Sequence, residues 1–217
     1  MLVLAFDTAT PAVSAALHDG SGILASRLTV DPRRHGELLA PMIADVLADA
    51  GAARADLTAI AVGVGPGPYT GLRVGLVTAR VLGAALGIPV HGVCTLDIIA
   101  WQAAEHVAGG FIVATDARRR EVYHGRYVEG GRRADGPHVG AATAIDGATS
   151  MPAAGDGARQ YPDAFAAVIE PAYPDATALA EIVVRGAPGQ LTAPEPLYLR
   201  RPDAREPGAP KRVTPRA

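Results

Sequence analysis

The sequence predicts an α/β fold in two unequal halves, each a mixed sheet with helices. Three observations carry this. Residues 1 to about 108 alternate strand and helix patterns in the order βββ-α-β-α-β-α. The pair Gly109-Gly110 then reads as a hinge. Beyond it the opening pattern starts again. Leu2-Val3-Leu4-Ala5-Phe6-Asp7 is followed thirteen residues on by Gly20, and Phe111-Ile112-Val113-Ala114-Thr115-Asp116 fourteen on by Gly130. Both read strand, aspartate, strand, acidic-Gly turn, a short internal repeat. The expected division is 1–108, a smaller unit over 109–200, and a flexible basic tail over 201–217.

Leu2 to Phe6 is a strand and Asp7-Thr8-Ala9-Thr10-Pro11 a turn. Ala12 to Leu17 and Ile23 to Val30 follow as strands around the tight turn Asp19-Gly20, an antiparallel meander. The next helix runs from about Gly36 to Ala50, with Leu38, Leu39, Met42, Ile43, Val46 and Leu47 in a stripe at helical spacing. Pro41 fits it poorly except in a first turn. Leu57 to Val64 is aliphatic throughout, as a strand covered on both faces should be. Gly65-Pro66-Gly67-Pro68 breaks it, and Thr70 stands where a helix N-cap would.

The helix from Leu72 to Leu86 carries only two charges, Arg73 and Arg80. A helix apolar all round is buried all round. Gly71, Gly75, Ala79, Gly83 and Gly87 recur at every fourth position. The three glycines within the helix, Gly71, Gly75 and Gly83, cost about 2.5–3 kcal/mol together relative to alanine. Close approach of another element is the expected compensation. Val74, Val77, Val81 and Leu82 lie on the other side. One face covers the chain's own sheet; the other needs a second helix or a second protein.

Ile88 to Val93 is a strand and Leu96 to His106 a helix. Phe111 to Thr115 and Glu121 to Val128 are strands, closed by Glu129-Gly130-Gly131. Further on, Gly155-Asp156-Gly157 is a turn, Asp175 or Thr177 caps a helix to Arg185, and Pro194 to Leu199 is a last short strand.

Of the 217 residues, 49% are hydrophobic and 19% charged, enough for a core and too apolar for general disorder. A net charge of -2 gives the whole chain no nucleic-acid footprint. Cys94 is the only cysteine, so no internal disulfide forms; this fits a reducing cytosol. Met1 to Phe6 meets Asp7 too soon for a signal peptide. No stretch of ~20 residues lacks both charge and glycine, so no membrane span is expected. Lys211, in the tail, is the only lysine, which excludes lysine chemistry in a folded pocket.

A Gly-rich turn from strand to helix invites phosphate. Here the fingerprint is incomplete: Pro68 stands where a dinucleotide motif needs glycine, and Gly71-Leu72-Arg73 where a P-loop needs Gly-Lys-Ser/Thr. The prolines also remove N–H donors. The plainer reading is a structural loop that sets the helix angle. Asp7, with Thr8 beside it, and Asp116 end strands at matching places. They are candidates to hold a metal–phosphate, or simply turn-forming aspartates. His35 has Leu39, not a second histidine, one turn later. His18, His91, His106, His124 and His138 share no ligand spacing. Cys94 reads as a core thiol. There is no Gly-x-Ser-x-Gly turn. Arg200, Arg201, Arg205, Lys211, Arg212 and Arg216 could touch RNA phosphates or be merely solvated.

Several of these residues resemble the bacterial TsaB family of tRNA threonylcarbamoyladenosine biosynthesis proteins, relatives of the actin-like and sugar-kinase ATPases. The carriers are Leu4-Ala5-Phe6-Asp7-Thr8-Ala9, the segment His35 to Pro41, and above all Gly63 through Gly75. Ile88-Pro89 and Pro196-Leu197-Tyr198-Leu199-Arg200 also fit, whereas residues 131 to 195 match loosely. The resemblance implies two actin-like (ribonuclease H-like) halves, the second degenerate. It implies a non-catalytic cytoplasmic scaffold that binds the transferase TsaD, with help from the ATPase TsaE, in modifying the position 37 adenosine of tRNA. It places the partner surface on the two helices, carried here by Leu38, Leu39, Met42, Val46, Thr70, Arg73, Val74, Val77 and Val81. A stable complex there should bury on the order of 800 Å² per partner. The same helices could close on a second copy as a homodimer. No metal and no cofactor is expected for this chain alone, ATP with magnesium belonging to the complex. The alternatives are an independent ATPase or kinase using Asp7, Thr8 and Asp116, and a metallopeptidase.

Overall fold

Two sheets with the same wiring frame the molecule. The computed structural model describes residues 1–186 and 190–200. The first sheet holds β1 (Val3–Asp7), β2 (Ala12–His18), β3 (Ile23–Val30), β4 (Ala59–Gly63) and β5 (Val90–Val93). β1, β2 and β3 are antiparallel; β4 joins β1, and β5 joins β4, in parallel. The second holds β6 (Phe111–Asp116), β7 (Val122–Tyr127), β8 (Arg133–Gly140), β9 (Pro152–Ala154) and β10 (Ala167–Ile169). Again the first three are antiparallel, and β9 and β10 add in parallel on the other side of β6. The orders β5-β4-β1-β2-β3 and β10-β9-β6-β7-β8 correspond strand for strand. The short sequence repeat is therefore the visible end of a repeat in topology, and the two-half ribonuclease H-like arrangement stands.

Among the described residues five α-helices complete the layers: α1 (His35–Asp49), α2 (Tyr69–Leu86), α3 (Thr95–Ala103), α4 (Asp156–Gln160) and α5 (Ala176–Arg185). Side chains alternate across β1. Leu4 and Phe6 face α1 and α2, packing with Leu39, Val46, Leu72 and Leu76. Val3 and Ala5 face α5, with Leu179, Ile182 and Ile98 of α3. On its other side α3 offers Leu96, Ile99 and Ala103 to Phe111, Val113 and Tyr127 of the second sheet. The far face of that sheet, Ile112, Ala114 and Val122, is closed by Ala158 of α4 and short turns. So α3 and α5 form a middle layer, and α5 covers the first sheet although it lies late in the chain.

The middle layer also contains a buried polar link. Asp97 of α3 accepts the Tyr127 hydroxyl at 2.8 Å and pairs with Arg133 at 3.5 Å. It joins the two halves, and Gly131 lies so close that a Cβ there would sit 2.9 Å from the Ala100 carbonyl.

Several boundaries differ from the expectation. Pro68, not Thr70, precedes α2, which starts at Tyr69 without a side-chain cap. Proline's fixed φ already turns the chain into the helix. Gly87 ends α2 in the left-handed conformation at φ 66°. Pro41 lies inside α1 on its exposed side, where the freed carbonyl meets water. Asp175 caps α5, accepting the Thr177 N–H at 2.8 Å. Residues 194–199 form no strand, since Pro194 and Pro196 cannot donate to a ladder. The strand is β11 (Leu191–Thr192), antiparallel to β5. The following segment is a strap: Leu197 donates its N–H to Val64 O at 2.8 Å and packs against the cores of both halves. Gly155-Asp156-Gly157 leads into α4 rather than forming a free turn. The expected basic tail, 201–217, lies outside the described residues.

Between β6 and β7 the chain makes an unusual turn. Arg118, Arg119 and Arg120 have φ of 60°, 56° and 63°. Each non-glycine residue there costs roughly 1–2 kcal/mol.

Candidate partner interface

Helix α2 is two-faced, though not as its sequence suggested. Gly71, Gly75, Ala79 and Gly83 are buried. A Cβ on Gly71 would fall 2.5 Å from Thr8 O, one on Gly75 2.6 Å from Thr8 Oγ1, and one on Gly83 2.3 Å from Val90 Cγ2. The small residues let α2 sink onto its own sheet. They are not a groove for an outside helix. The valine side is what remains uncovered: Val77 is 58% and Val81 60% exposed, among the largest exposures of apolar side chains here. Thr70 and Arg73 are exposed beside them, and Val74 is half-buried.

On α1 the correction is sharper. Leu39, Met42 and Val46 belong to the core and cannot form a partner surface; Leu38 is half-buried against it. An amphipathic stripe is what the sheet takes, so the outward side keeps the leftovers, Ala40, Ala44 and Ala48. Between the two helices runs an apolar groove of ≈ 880 Å³, lined by Ala40, Ile43, Ala44, Leu47, Val77 and Val81, among others, with Arg54 also on the lining. Sequence reasoning missed the alanines. Their recurrence at every fourth position of α1, matching the stripe on α2, was the available signal.

At the start of α2 the strap joins this face. Tyr198 stacks on Tyr69 with centroids 5.6 Å apart, and the Arg73 guanidinium lies 3.9 Å from the Tyr69 centroid. Arg73 Nε also donates to the Tyr198 hydroxyl at 3.3 Å.

The candidate nucleotide residues are placed differently. Asp7 is fully buried. One carboxylate oxygen accepts the Ala9 N–H and the other the Thr95 hydroxyl, both at 2.7 Å. Burial pushes its pKa up to about 6, against the opposing pull of those bonds. A Cβ on Gly63 would fall 1.6 Å from Asp7 Oδ2, so β4 seals the carboxylate. The Thr8 hydroxyl donates to Gly71 O at 2.7 Å and accepts the Gly75 N–H at 3.0 Å. In this arrangement both side chains are buried and engaged by the fold. Asp116 accepts the Arg118 N–H at 2.8 Å, the turn-forming use of an aspartate, and pairs with the Arg118 side chain at 3.3 Å. Its own N–H donates to Asp156, whose pKa is pushed up to about 6, chiefly by burial.

His35 Nε2 lies 2.7 Å from Thr10 O. The Cys94 thiol is buried and pushed up to about 12, burial being the main cause. Among the described residues no three His, Cys, Asp or Glu side chains cluster as a metal would require. No described helix is long and apolar enough to cross a membrane.

The family model described as TsaD, tRNA N6-adenosine threonylcarbamoyltransferase, matches residues 23–156. The chain belongs to this family. Within it the chain is TsaB-like. The tRNA threonylcarbamoyladenosine biosynthesis protein TsaB of Escherichia coli (strain K12) is 38% identical over 128 residues, 58% of this chain and 55% of that protein. An uncharacterized protein of Mycobacterium tuberculosis is 48% identical over 208 residues, 94% of this chain and 93% of that one. The crystal structure of an uncharacterized Pseudomonas aeruginosa protein, described as similar to peptidase YEAZ, superposes with a TM-score of 0.80. It is 32% identical, and the match covers 92% of this chain and 99% of that one.

Proposed function

We propose that this TsaB-like chain serves formation of N6-threonylcarbamoyladenosine at position 37 of tRNA, as a docking subunit without a reaction of its own. It binds the transferase TsaD through the groove between α1 and α2. The observation that carries this reading is the exposure of Val77 and Val81 on the wall of that groove. Each valine is a little over half exposed, so covering the remainder contributes roughly 1–2 kcal/mol. Family membership supplies the partner: the matching family is that of the transferase, and curated relatives carry the TsaB name. The engagement of Asp7 and Thr8 by their own chain supports the absence of a separate catalytic role. TsaE, tRNA and ATP with magnesium then meet the chain only through the complex.

A second copy competes for the same face. Glu37 and Asp45 are exposed on α1, and Arg73 and Arg80 on α2. A two-fold axis between α1 and α2 sets acids against bases.

Co-purification with TsaD tests the proposal. Val77→Asp places a charge in the groove, and capture of the transferase is expected to be lost while the variant stays folded. Recovery equal to wild type contradicts it. Reconstitution with TsaD, TsaE, threonylcarbamoyl-adenylate and tRNA is expected to require this chain.

A further inference from the structure

We propose that β3 pairs, edge to edge, with β3 of a second copy of this chain, antiparallel about a two-fold axis at Thr29.

This edge is open where the others are closed. Among the described residues β3 and β11 end the first sheet, and β8 and β10 the second. β11 has two residues and β10 three. β8 is long but carries Arg133, Asp135, Gly136 and Pro137. Short strands, charges and proline are the usual defences of an edge against strand addition. β3 runs Ile-Leu-Ala-Ser-Arg-Leu-Thr-Val over eight residues, with neither glycine nor proline. Its Leu28 is 44% and its Val30 49% exposed. Its one charge, Arg27, pairs with Asp49 of α1. Leu24 has no partner on β2, a bulge that confines the regular edge to residues 25–30.

Backbone and side chains both fit a copy of themselves. Asp31 donates its N–H to Pro11 O at 2.9 Å, in register with the pairs Thr29–Val13 and Arg27–Ala15. Backbone groups alternate in direction along a strand, so those of Leu28 and Val30 point away from β2 to the open side. A two-fold axis at Thr29 sets Leu28 opposite Val30 of the second copy, and Val30 opposite its Leu28, each pair exchanging both hydrogen bonds. Side chains alternate across the sheet. On one face this register joins leucine to valine. On the other it joins threonine to threonine, and Arg27 to Asp31 of the second copy. Apolar, Thr–Thr and opposite-charge pairs are the favourable cross-strand neighbours. An axis at Arg27 would set that arginine against its own copy. One at Leu28 would leave Asp31 opposite Ala25, and one at Ser26 would draw on the bulged end. A second copy is thus the occupant whose charges and apolar side chains match this edge.

A pairing this short covers less than the roughly 1,000 Å² of a stable interface, so the association is weak and concentration-dependent. The groove between α1 and α2 takes no residue from β3. The inference therefore survives failure of the docking proposal.

The test is sedimentation equilibrium of the full-length chain from about 10 to 500 μM. It is made on Val77→Asp, which silences contact between copies through the groove. The average mass is expected to rise toward that of a dimer. Leu28→Lys with Val30→Lys, in the same background, is expected to weaken self-association about tenfold or more. Both positions are exposed, so its melting temperature should stay near that of the parent. Two further variants, Arg27→Asp and Asp31→Arg, fix the register without touching the apolar face. Each alone sets like charges across the axis and should associate poorly. Mixed, they restore opposite charges and should associate with each other. A Val77→Asp chain that stays monomeric throughout overturns the proposal. So does a lysine variant that self-associates as strongly as its parent, or a mixture of the charge variants that associates no better than either alone.

Discussion

The Gly75 N–H donates to the Thr8 hydroxyl at 3.0 Å, through space that a Cβ on Gly75 would enter. The same hydroxyl donates to Gly71 O, so one threonine in the first turn of the chain holds the first turns of α2 to the sheet.

Gly75→Ala should therefore destabilise the fold, although alanine is the better helix former. The helical gain is about 1 kcal/mol. Against it stand overpacking, typically about 1–3 kcal/mol, and the loss of a buried hydrogen bond. Thermal melting is expected to show a lowered Tm. A raised Tm would mean that Thr8 yields freely.

Val77→Asp should separate docking from stability. The side chain is mostly in water, so its replacement belongs with surface changes, within about 0.5 kcal/mol. A denaturant midpoint near wild type together with lost capture of TsaD is the expected pair of results. Gly75 variants cannot give that pair, because their lesion is in the core.

Asp7 should leave a mark on the pH dependence of stability. Its folded pKa is raised to about 6 from 3.8, so the folded state binds its proton more tightly than the unfolded chain does. Stability from this group is greatest below pH 3.8, falls as pH rises toward 6, and then levels off. The full difference is about 3 kcal/mol. Asp156 acts in the same direction and window. Asp19, lowered to about 2 by its bonds to Ser21 and Gly22, acts oppositely, losing stability as pH falls below about 4. Asp7→Asn is expected to flatten the decline between pH 4 and 6, read as Tm across a pH series. An unchanged slope would remove Asp7 as its source.

The Asp97–Tyr127–Arg133 link should behave as one unit. Removing Arg133 leaves Asp97 buried without its cation, its pKa already raised by burial. Arg133→Ala is expected to cost about 1–3 kcal/mol, and much less in an Asp97→Asn background. A double-mutant cycle by chemical denaturation checks this; additive losses would show no coupling.

The first half was legible because its strands and helices carry long, regular apolar patterns. Val3 to Asp7 and the α1 stripe announce both their class and their buried side. The later strands offer little to read. β8 is Arg-Ala-Asp-Gly-Pro-His-Val-Gly, and β9 and β10 are three residues each, held by register against β6 rather than by their own composition. The glycine stripe misled for a different reason. Small residues report that something comes close but not what, and here it is Thr8 and Val90 of the same chain. The candidate surface was half legible: Val77 and Val81 stood out as surplus, while Leu39, Met42 and Val46 went to the core. The left-handed arginines were invisible, since nothing in Arg-Arg-Arg signals positive φ.

Because α5 closes the first sheet, translation order and assembly order part company. β1 to β5 of that sheet have all been synthesised by Val93, yet one side of it lacks its main cover until the ribosome has delivered Ala176–Arg185. The N-terminal half is thus completed by a helix made long after its own strands, and a nascent chain halted at Gly109-Gly110 would carry an oily, unfinished surface.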